Sequence, residues 1–501
     1  MSQPAAAPAP IDVGRSLLRG SAWMVGLRWG MRSLGLLNTF ILARLLTPAD
    51  FGLVTMAMVV VSLVEVLGQS GQMLALIRLP SPTRAHFDSV WTLNILLGLG
   101  ITAILWAIAP FAPLYFHAAR ATLLIHLLAL RPLINGFDNV GVVAFRKELQ
   151  FGREFAFQLL RRVLTMLVTL GVALWLGDWR ALVAGILGGQ ALGTVLSYVM
   201  HPYRPRLCLT HIREVLPFSG WVLATYVAQF ATDRADEIVV GGIGSPTAMG
   251  LYNVASDTAT SPTAEVVVPV ARALFPVFAR ISHDAAALRA AYLDVFAATT
   301  LICVAIGGGI ALVAGDFVAV ALGPQWQAAV PLVRVLGIAG ALFGIMQNGV
   351  PVLNATGHAR LAAYLTASRA VVLLAALALA GRFGDILTVA WARAVVTLLF
   401  IPGILLALGR VMHATPADML ARAWRPLAAG LVMAAAVGLV HQAAPPVPLL
   451  RLPLDAASGA VAYTAAILLL WRAAGAPAGL EAAMVSRLRR TRARPARGET
   501  G

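Results

Sequence analysis

Hydrophobic residues come along this chain in long blocks, separated by short connections rich in Pro, Gly and Arg. A helix crosses the apolar part of a bilayer in about 20 residues, and the blocks have that length. Spans are predicted near residues 16–43, 52–76, 88–111, 121–145, 155–176 and 181–200, forming a first half. A second half follows near 215–242, 249–278, 291–313, 326–353, 361–380 and 386–409, and two more spans lie near 426–441 and 453–471. The predicted fold class is an all-α integral membrane protein of about 14 transmembrane helices. The expected domains are a cytoplasmic tail (1–14), an N-lobe of helices 1–6 (15–200), a cytoplasmic linker (201–214), a C-lobe of helices 7–12 (215–410), two extra helices 13–14 (411–472) and a basic cytoplasmic tail (473–501).

Composition agrees with lipid as the solvent. Of 501 residues, 59% are hydrophobic and only 12% charged, more apolar surface than a soluble domain of this length buries. The net charge of +16 would suggest nucleic acid as a partner in a soluble protein. Here the basic residues, Arg apart from Lys147, stand singly or in small groups between hydrophobic blocks, where membrane lipids and topology signals act on them. Nucleic acid is therefore excluded as a partner. The side carrying both termini holds 23 basic residues and the other side five, which predicts cytoplasmic termini. Two cysteines, Cys208 and Cys303, cannot build a disulfide framework or a zinc site. The tail Met1 to Gly14 lacks a cleavable signal pattern, so the first span is expected to act as an uncleaved signal-anchor.

An internal repeat is visible. Ser21-Ala-Trp23 recurs as Ser219-Gly-Trp221, and Thr47-Pro48-Ala-Asp-Phe-Gly52-Leu53 as Ser245-Pro246-Thr-Ala-Met-Gly250-Leu251, both at an offset of 198 residues. Six spans separate the copies, so both halves cross in the same direction. Two six-helix lobes related by a pseudo-two-fold axis along the membrane normal are the expected result.

The segment Ala43-Arg44-Leu45-Leu46-Thr47-Pro48-Ala49-Asp50-Phe51-Gly52-Leu53 resembles the signature of polysaccharide and O-antigen flippases of the multidrug/oligosaccharidyl-lipid/polysaccharide superfamily. Further similar pieces are Asp233 to Gly242, Gly250 to Ala255, Phe275 to Arg280 and Asn354 to Arg360, so the likeness covers about 15–410. It implies two lobes around a hydrated, cationic cavity, a polyprenyl-pyrophosphate-linked oligosaccharide as substrate, a place in a bacterial inner membrane and association with polysaccharide assembly machinery. An ion-coupled multidrug or small-solute exporter of the same superfamily is the alternative, and a membrane glycan polymerase or ligase ranks third. Enzyme signals are lacking: with a single Lys, in Phe-Arg-Lys147-Glu, there is no Gly-x-x-x-x-Gly-Lys-Ser/Thr phosphate loop. No cofactor is expected beyond coupling to H+ or Na+.

Ten arginines fall inside predicted spans. Each costs on the order of 2.5–3.5 kcal/mol at a helix centre, so water, a partner or a ligand must meet them. Arg28 and Arg32, spaced i and i+4, share one face of the first span, suited to a diphosphate or to snorkelling. Glu65 and Gln69 belong to a polar strip on the second span, and Arg131, Asn135 and Asp138 share a face of the fourth. On the eighth span Asp257, Ser261, Glu265 and Arg272 form a polar stripe that Pro262 and Pro269 are expected to bend or break, lining a cavity or locking helices together. Asp233, Asp236 and Glu237 on the seventh are candidates for ion coupling, with pairing to Arg234 as the other reading.

The charge asymmetry makes one test direct. A single Cys at position 206, in a background lacking Cys208 and Cys303, should resist impermeant thiol reagents applied to intact cells. Modification from outside would overturn the orientation.

Overall fold

The computed structural model describes residues 30, 32–68, 76, 83–148, 150–212 and 220–476, and the regular structure within them is helical throughout. Ten stretches among the described residues are long and apolar enough to cross a membrane. Four come early, Pro48–Gly68, Arg84–Phe116, Gly152–Leu176 and Arg180–Met200. Six come later, Ala285–Leu322, Pro324–Ala355, Ala359–Phe383, Ile386–Met412, Pro416–Ala443 and Pro448–Ala473. Every one coincides with a predicted span. The other four predicted spans also contain helices where described: residues 32–45, then Ala121–Leu128 with Leu130–Gly136, then Gly220–Asp233 with Ala235–Ile243, then Pro246–Ile281.

Helix starts are written locally. Thr47 caps the helix Pro48–Glu65, its hydroxyl accepting from the Asp50 N–H while Asp50 accepts from the Thr47 N–H, and Pro48 fills the first position, where no N–H is needed. The second carboxylate oxygen of Asp50 accepts from the Trp179 N–H at 3.1 Å, which fixes the connection ahead of Arg180–Met200. The same tetrapeptide, Thr415-Pro-Ala-Asp418, caps Pro416–Ala443 in the same way. Ser245-Pro246, the repeat partner of Thr47-Pro48, likewise opens the helix Pro246–Ile281.

The chain divides into two compact units. One takes the described residues up to Asp233 together with Ser245–Thr247, and the other takes Arg234–Gly244 and the residues from Ala248 on.

In the first unit, glycines set the packing. Gly185, Gly189 and Gly193 lie one turn apart on Arg180–Met200 and face Thr169, Thr165 and Arg161 of Phe151–Leu176, where a β-carbon would collide with those side chains. Small residues at such spacing let membrane helices approach closely. Gly98 and Gly136 do the same for Arg84–Ile108 against Leu130–Gly136: a β-carbon on Gly98 would stand 2.6 Å from the Pro132 carbonyl oxygen, and one on Gly136 2.7 Å from that of Asn94. The predicted linker is a strap held against this unit. Asp88 accepts from the Tyr203 hydroxyl and the Arg206 N–H, Thr92 accepts from the Cys208 N–H, and buried Asn139 donates to the Tyr203 carbonyl at 2.9 Å. Burial and the bond to Asp88 push the Tyr203 phenol above its ordinary pKa.

In the second unit, Pro246–Ile281 runs as one 36-residue helix through Pro262, Pro269 and Pro276. Of the bend or break expected at Pro262 and Pro269, the break is not formed: the helix runs on through both prolines. Phe278, Tyr292, Phe296 and Leu408 centre the core. The last two helices belong to this unit, packing on each other and on Ala285–Cys303 and Gly309–Phe317. Arg289 pairs with Asp418 at 2.6 Å and Arg422 with Asp294 at 2.8 Å across one of these contacts.

Because the Asn94 carbonyl is backbone and cannot rotate away, Gly136→Ala should destabilise the purified protein by about 1–3 kcal/mol and lower its thermal midpoint. Gly171→Ala, at a helix position with open space around it, should be neutral or slightly stabilising. Equal midpoints for the two variants would contradict this packing.

Candidate functional site: a charge-paired cavity in the first unit

The first unit encloses a cavity of about 370 Å³, lined among others by Glu65, Asn94, Arg131, Asn135, Asp138, Arg161 and Gln190. Five helices supply these groups, and the glycine contacts described above pack four of them in two pairs. Gly136 brings the turn after Leu130–Gly136 against Arg84–Ile108, so that Arg131, Asn135 and Asp138 face inward. Gly193 leaves room for the Arg161 side chain, which crosses over it to reach Gln190 and Asp138.

The charges are paired, though loosely. Arg131 stands 3.3 Å from Glu65, and Arg161 stands 3.6 Å from Asp138. Arg161 also donates to the Gln190 amide oxygen at 2.5 Å, while the Gln190 amide nitrogen donates to Asn135 at 3.1 Å and the Thr194 hydroxyl donates to Asp138. A guanidinium carries five N–H donors in a fixed fork, and one carboxylate at these distances leaves donors of both arginines for a ligand. Chemically, the cavity is polar, close to neutral overall, and able to hand two guanidinium groups to an incoming anion.

Of the site residues expected from sequence, Glu65, Arg131 and Asp138 meet here. Arg161 appears in the sequence among the ten in-span arginines without an assigned role, and Gln190 escapes the sequence reading. Its signal was present: it is the one amide in the span 181–200, bracketed by glycines at helical spacing. Arg28 and Gln69 lie outside the described residues, and Arg32 is half-buried at the start of the described helix.

The acidic run of the seventh span is divided by a break at Arg234, where the helix Gly220–Asp233 ends and Ala235–Ile243 begins. Asp233 is exposed and accepts from Gln229 at 2.9 Å. In the second unit, Glu237 pairs with Arg234 at 2.6 Å, and buried Asp236 takes the Arg393 guanidinium together with the Tyr252 hydroxyl at 2.9 Å. Asp236 and Glu237 therefore already hold fixed cations. Along Pro246–Ile281, Asp257 accepts from the Ser261 hydroxyl at 3.0 Å, and Glu265 is half-buried on the same stripe. The Arg272 side chain lies outside the described residues.

The comparisons with known proteins agree with this architecture. The solved structure of a lipid II flippase, MurJ, in an inward closed conformation superposes with a TM-score of 0.71, covering 91% of this chain and 99% of that one at 13% identity. An inward-facing multidrug resistance transporter of the MATE family and MOP superfamily gives a TM-score of 0.52 over 78% of this chain and 95% of that one, at 16% identity. At these identities the likeness is one of fold. By sequence, the succinoglycan biosynthesis transport protein ExoT of Rhizobium meliloti is 25% identical over 92% of this chain and 95% of its own length. The teichuronic acid biosynthesis protein TuaB of Bacillus subtilis is 26% identical over 64% of this chain and 68% of its own, and the lipopolysaccharide biosynthesis protein WzxC of Escherichia coli is 22% identical over 65% and 67%. The profile of one family, described as polysaccharide biosynthesis protein, matches residues 41–331, more than half of the chain and the whole of the cavity wall. With helices, cavity and family match in register, this chain is a multi-pass membrane protein that belongs to the polysaccharide biosynthesis protein family.

Proposed function

We propose that the protein flips a polyprenyl-pyrophosphate-linked oligosaccharide from the cytoplasmic to the periplasmic leaflet by alternating access, in the assembly of a surface polysaccharide such as O-antigen, capsule or exopolysaccharide. The observation that carries this reading is the pair of loosely held arginines, Arg131 and Arg161, facing a polar cavity inside apolar spans. A diphosphate is the anion that two guanidinium forks suit best. On this reading the carboxylates of Glu65 and Asp138 hold the arginines while the cavity is empty. The pyrophosphate then displaces them, so that binding swaps one set of charge pairs for another and leaves no buried charge unmet. Arg28 and Arg32 belong to the same proposal as further contacts on the first span, and the amides of Asn94, Asn135 and Gln190 suit sugar hydroxyls.

The membrane is proposed to be the bacterial inner membrane, with both termini cytoplasmic. The function needs no catalysis by the chain itself. The similarity to ExoT, WzxC and MurJ, a transport, a lipopolysaccharide biosynthesis and a flippase protein respectively, supports the substrate class. Coupling to H+ or Na+ is the weaker part of the scheme, because Asp236 and Glu237 carry arginines where a mobile ion would have to sit. The same observation weighs against the ion-coupled exporter.

Two experiments follow. The double variant Glu65→Gln with Arg131→Gln removes a charge pair without stranding either member, so it should fold at normal yield yet flip lipid-linked oligosaccharide in proteoliposomes about tenfold more slowly, or worse. Arg131→Lys should recover only part of the rate, since the fork is lost. Wild-type flipping by the double variant would remove this cavity from the transport path. For the second unit, Asp236→Asn should strand Arg393 and cost about 3–5 kcal/mol, seen first as lost folded yield, with recovery when Arg393→Leu is added. Normal yield of Asp236→Asn together with lost dependence on an ion gradient would instead make Asp236 a coupling site.

A further inference from the structure

The second unit holds a larger cavity, about 440 Å³, at the place where its last two helices meet. Four of its polar residues sit at helix ends or on a turn between helices. His441 and Gln442 close Pro416–Ala443, Pro448 and Arg451 open Pro448–Ala473, and Gln327 lies on the turn Pro324–Ala329 ahead of Val330–Met346. Gly323, at φ 106°, makes the sharp reversal that sends this turn back toward the cavity, and fully buried Trp326 anchors it. Leu312 and Ala434 form the apolar floor. Ala434 is seven residues before His441, which at 1.5 Å per residue puts the floor about 10 Å deeper than the polar rim. A change from polar to apolar over that distance at helix ends matches the boundary between lipid headgroups and acyl chains.

Charge decides the occupant. Arg451 forks onto Asp316, and His441 bonds to Asp455 at 2.7 Å. Asp316 and Asp455 are only 3% and 0% exposed, whereas His441 is 46% exposed, so the carboxylates lie behind and the cationic and donor groups in front. Arg334 lines the same cavity from Val330–Met346 and is exposed. Among the described residues it has no ion pair, hydrogen bond or ring contact. Ile338, one turn on, is exposed as well, and so are Leu439, Val447 and Leu449, next in sequence to the lining residues Gly438 and Pro448. Exposed apolar groups on membrane-spanning helices face lipid, so the cavity opens to the bilayer.

We propose that this cavity binds an anionic phospholipid, with Arg334, Gln327 and Gln442 donating to its phosphate oxygens, and the upper acyl chain against Leu312 and Ala434. An arginine in a membrane helix must meet an anion, water or an aromatic ring. A lipid phosphate meets Arg334 at the depth where it stands, and the Asp316–Arg451–His441–Asp455 network keeps the wall rigid around it. The site is independent of the transport reading, since it uses none of the residues of the first unit.

The test uses the full chain in nanodiscs. Wild type should unfold at a higher temperature in phosphatidylglycerol than in phosphatidylcholine, and should retain phosphatidylglycerol in native mass spectra after delipidation. Arg334→Gln should weaken that retention about tenfold or more and abolish the difference between lipids, while Arg334→Lys keeps part of both. Inorganic phosphate at millimolar concentration, without the anionic lipid, should not stabilise wild type. No preference for phosphatidylglycerol in wild type overturns the proposal, as does full retention by Arg334→Gln. Equal stabilisation by free phosphate would make this an anion site unrelated to lipid, which also overturns it. Should Arg334→Gln fail to fold, the wild-type comparison of the two lipids and the Arg334→Lys retention still decide.

Discussion

Everything distinctive in this molecule follows from the cost of placing a charge where water is scarce. An isolated ion in low dielectric is penalised by several kcal/mol even after relaxation, and the sequence places ten arginines inside apolar spans. The structure meets that cost in several ways. Arg131, Arg161, Arg234 and Arg393 take carboxylates from other turns or helices, and Arg369 lies over the Phe343 ring. How tightly each is met sorts the arginines by role. Those bound closely, such as Arg393 with Asp236 and Tyr252, act as struts, while Arg131 and Arg161 keep longer ion pairs beside open space.

Small residues make that sorting possible. Gly98 and Gly136 allow helices to come together at backbone distance, Gly189 and Gly193 make room for side chains of the facing helix, and the cavity of the first unit is lined by polar side chains beside Gly98 and Gly136. Packing and site are thus one arrangement. A β-carbon at Gly136 or Gly193 would move Asn135, Asp138 or Arg161 as well as separate two helices. The second unit repeats the logic with other residues: Gly307 packs against Gly337, and two ion pairs, Arg289 with Asp418 and Arg422 with Asp294, hold Pro416–Ala443 to Ala285–Cys303. The closing pair of helices is therefore part of this unit's core, and it creates a second cavity that the first unit has no counterpart for among the described residues.

The segment Thr47-Pro48-Ala-Asp50, part of the family likeness and of the internal repeat, has a plain local cause. It is a helix start: a threonine cap, a proline in the first turn and an aspartate that closes the capping box. Its recurrence at Thr415-Pro-Ala-Asp418, which does not fit the 198-residue offset, is the same chemistry used at another helix start. What makes the first copy special is the extra bond from Trp179 to Asp50, a tertiary contact that joins two connections 129 positions apart.

The sequence by itself determined the helices, because the bilayer imposes one length and one polarity on every crossing, and because proline, threonine and glycine mark the ends through local bonds. It also determined that Glu65, Arg131 and Asp138 would face a polar space, since a shared helix face is a matter of 100° per residue. Only tertiary structure decided which charge meets which. Arg161 with Asp138, Arg393 with Asp236 and Arg451 with Asp316 join residues 23, 157 and 135 positions apart, and no periodicity along one helix reports on its neighbour. The acidic run 233–237 reads as one site on a helical wheel, yet the break at Arg234 gives each acid a separate partner. The prolines of Pro246–Ile281 leave the helix unbroken for a related reason: whether a freed carbonyl breaks a helix depends on what packs beside it, and that is a property of the fold.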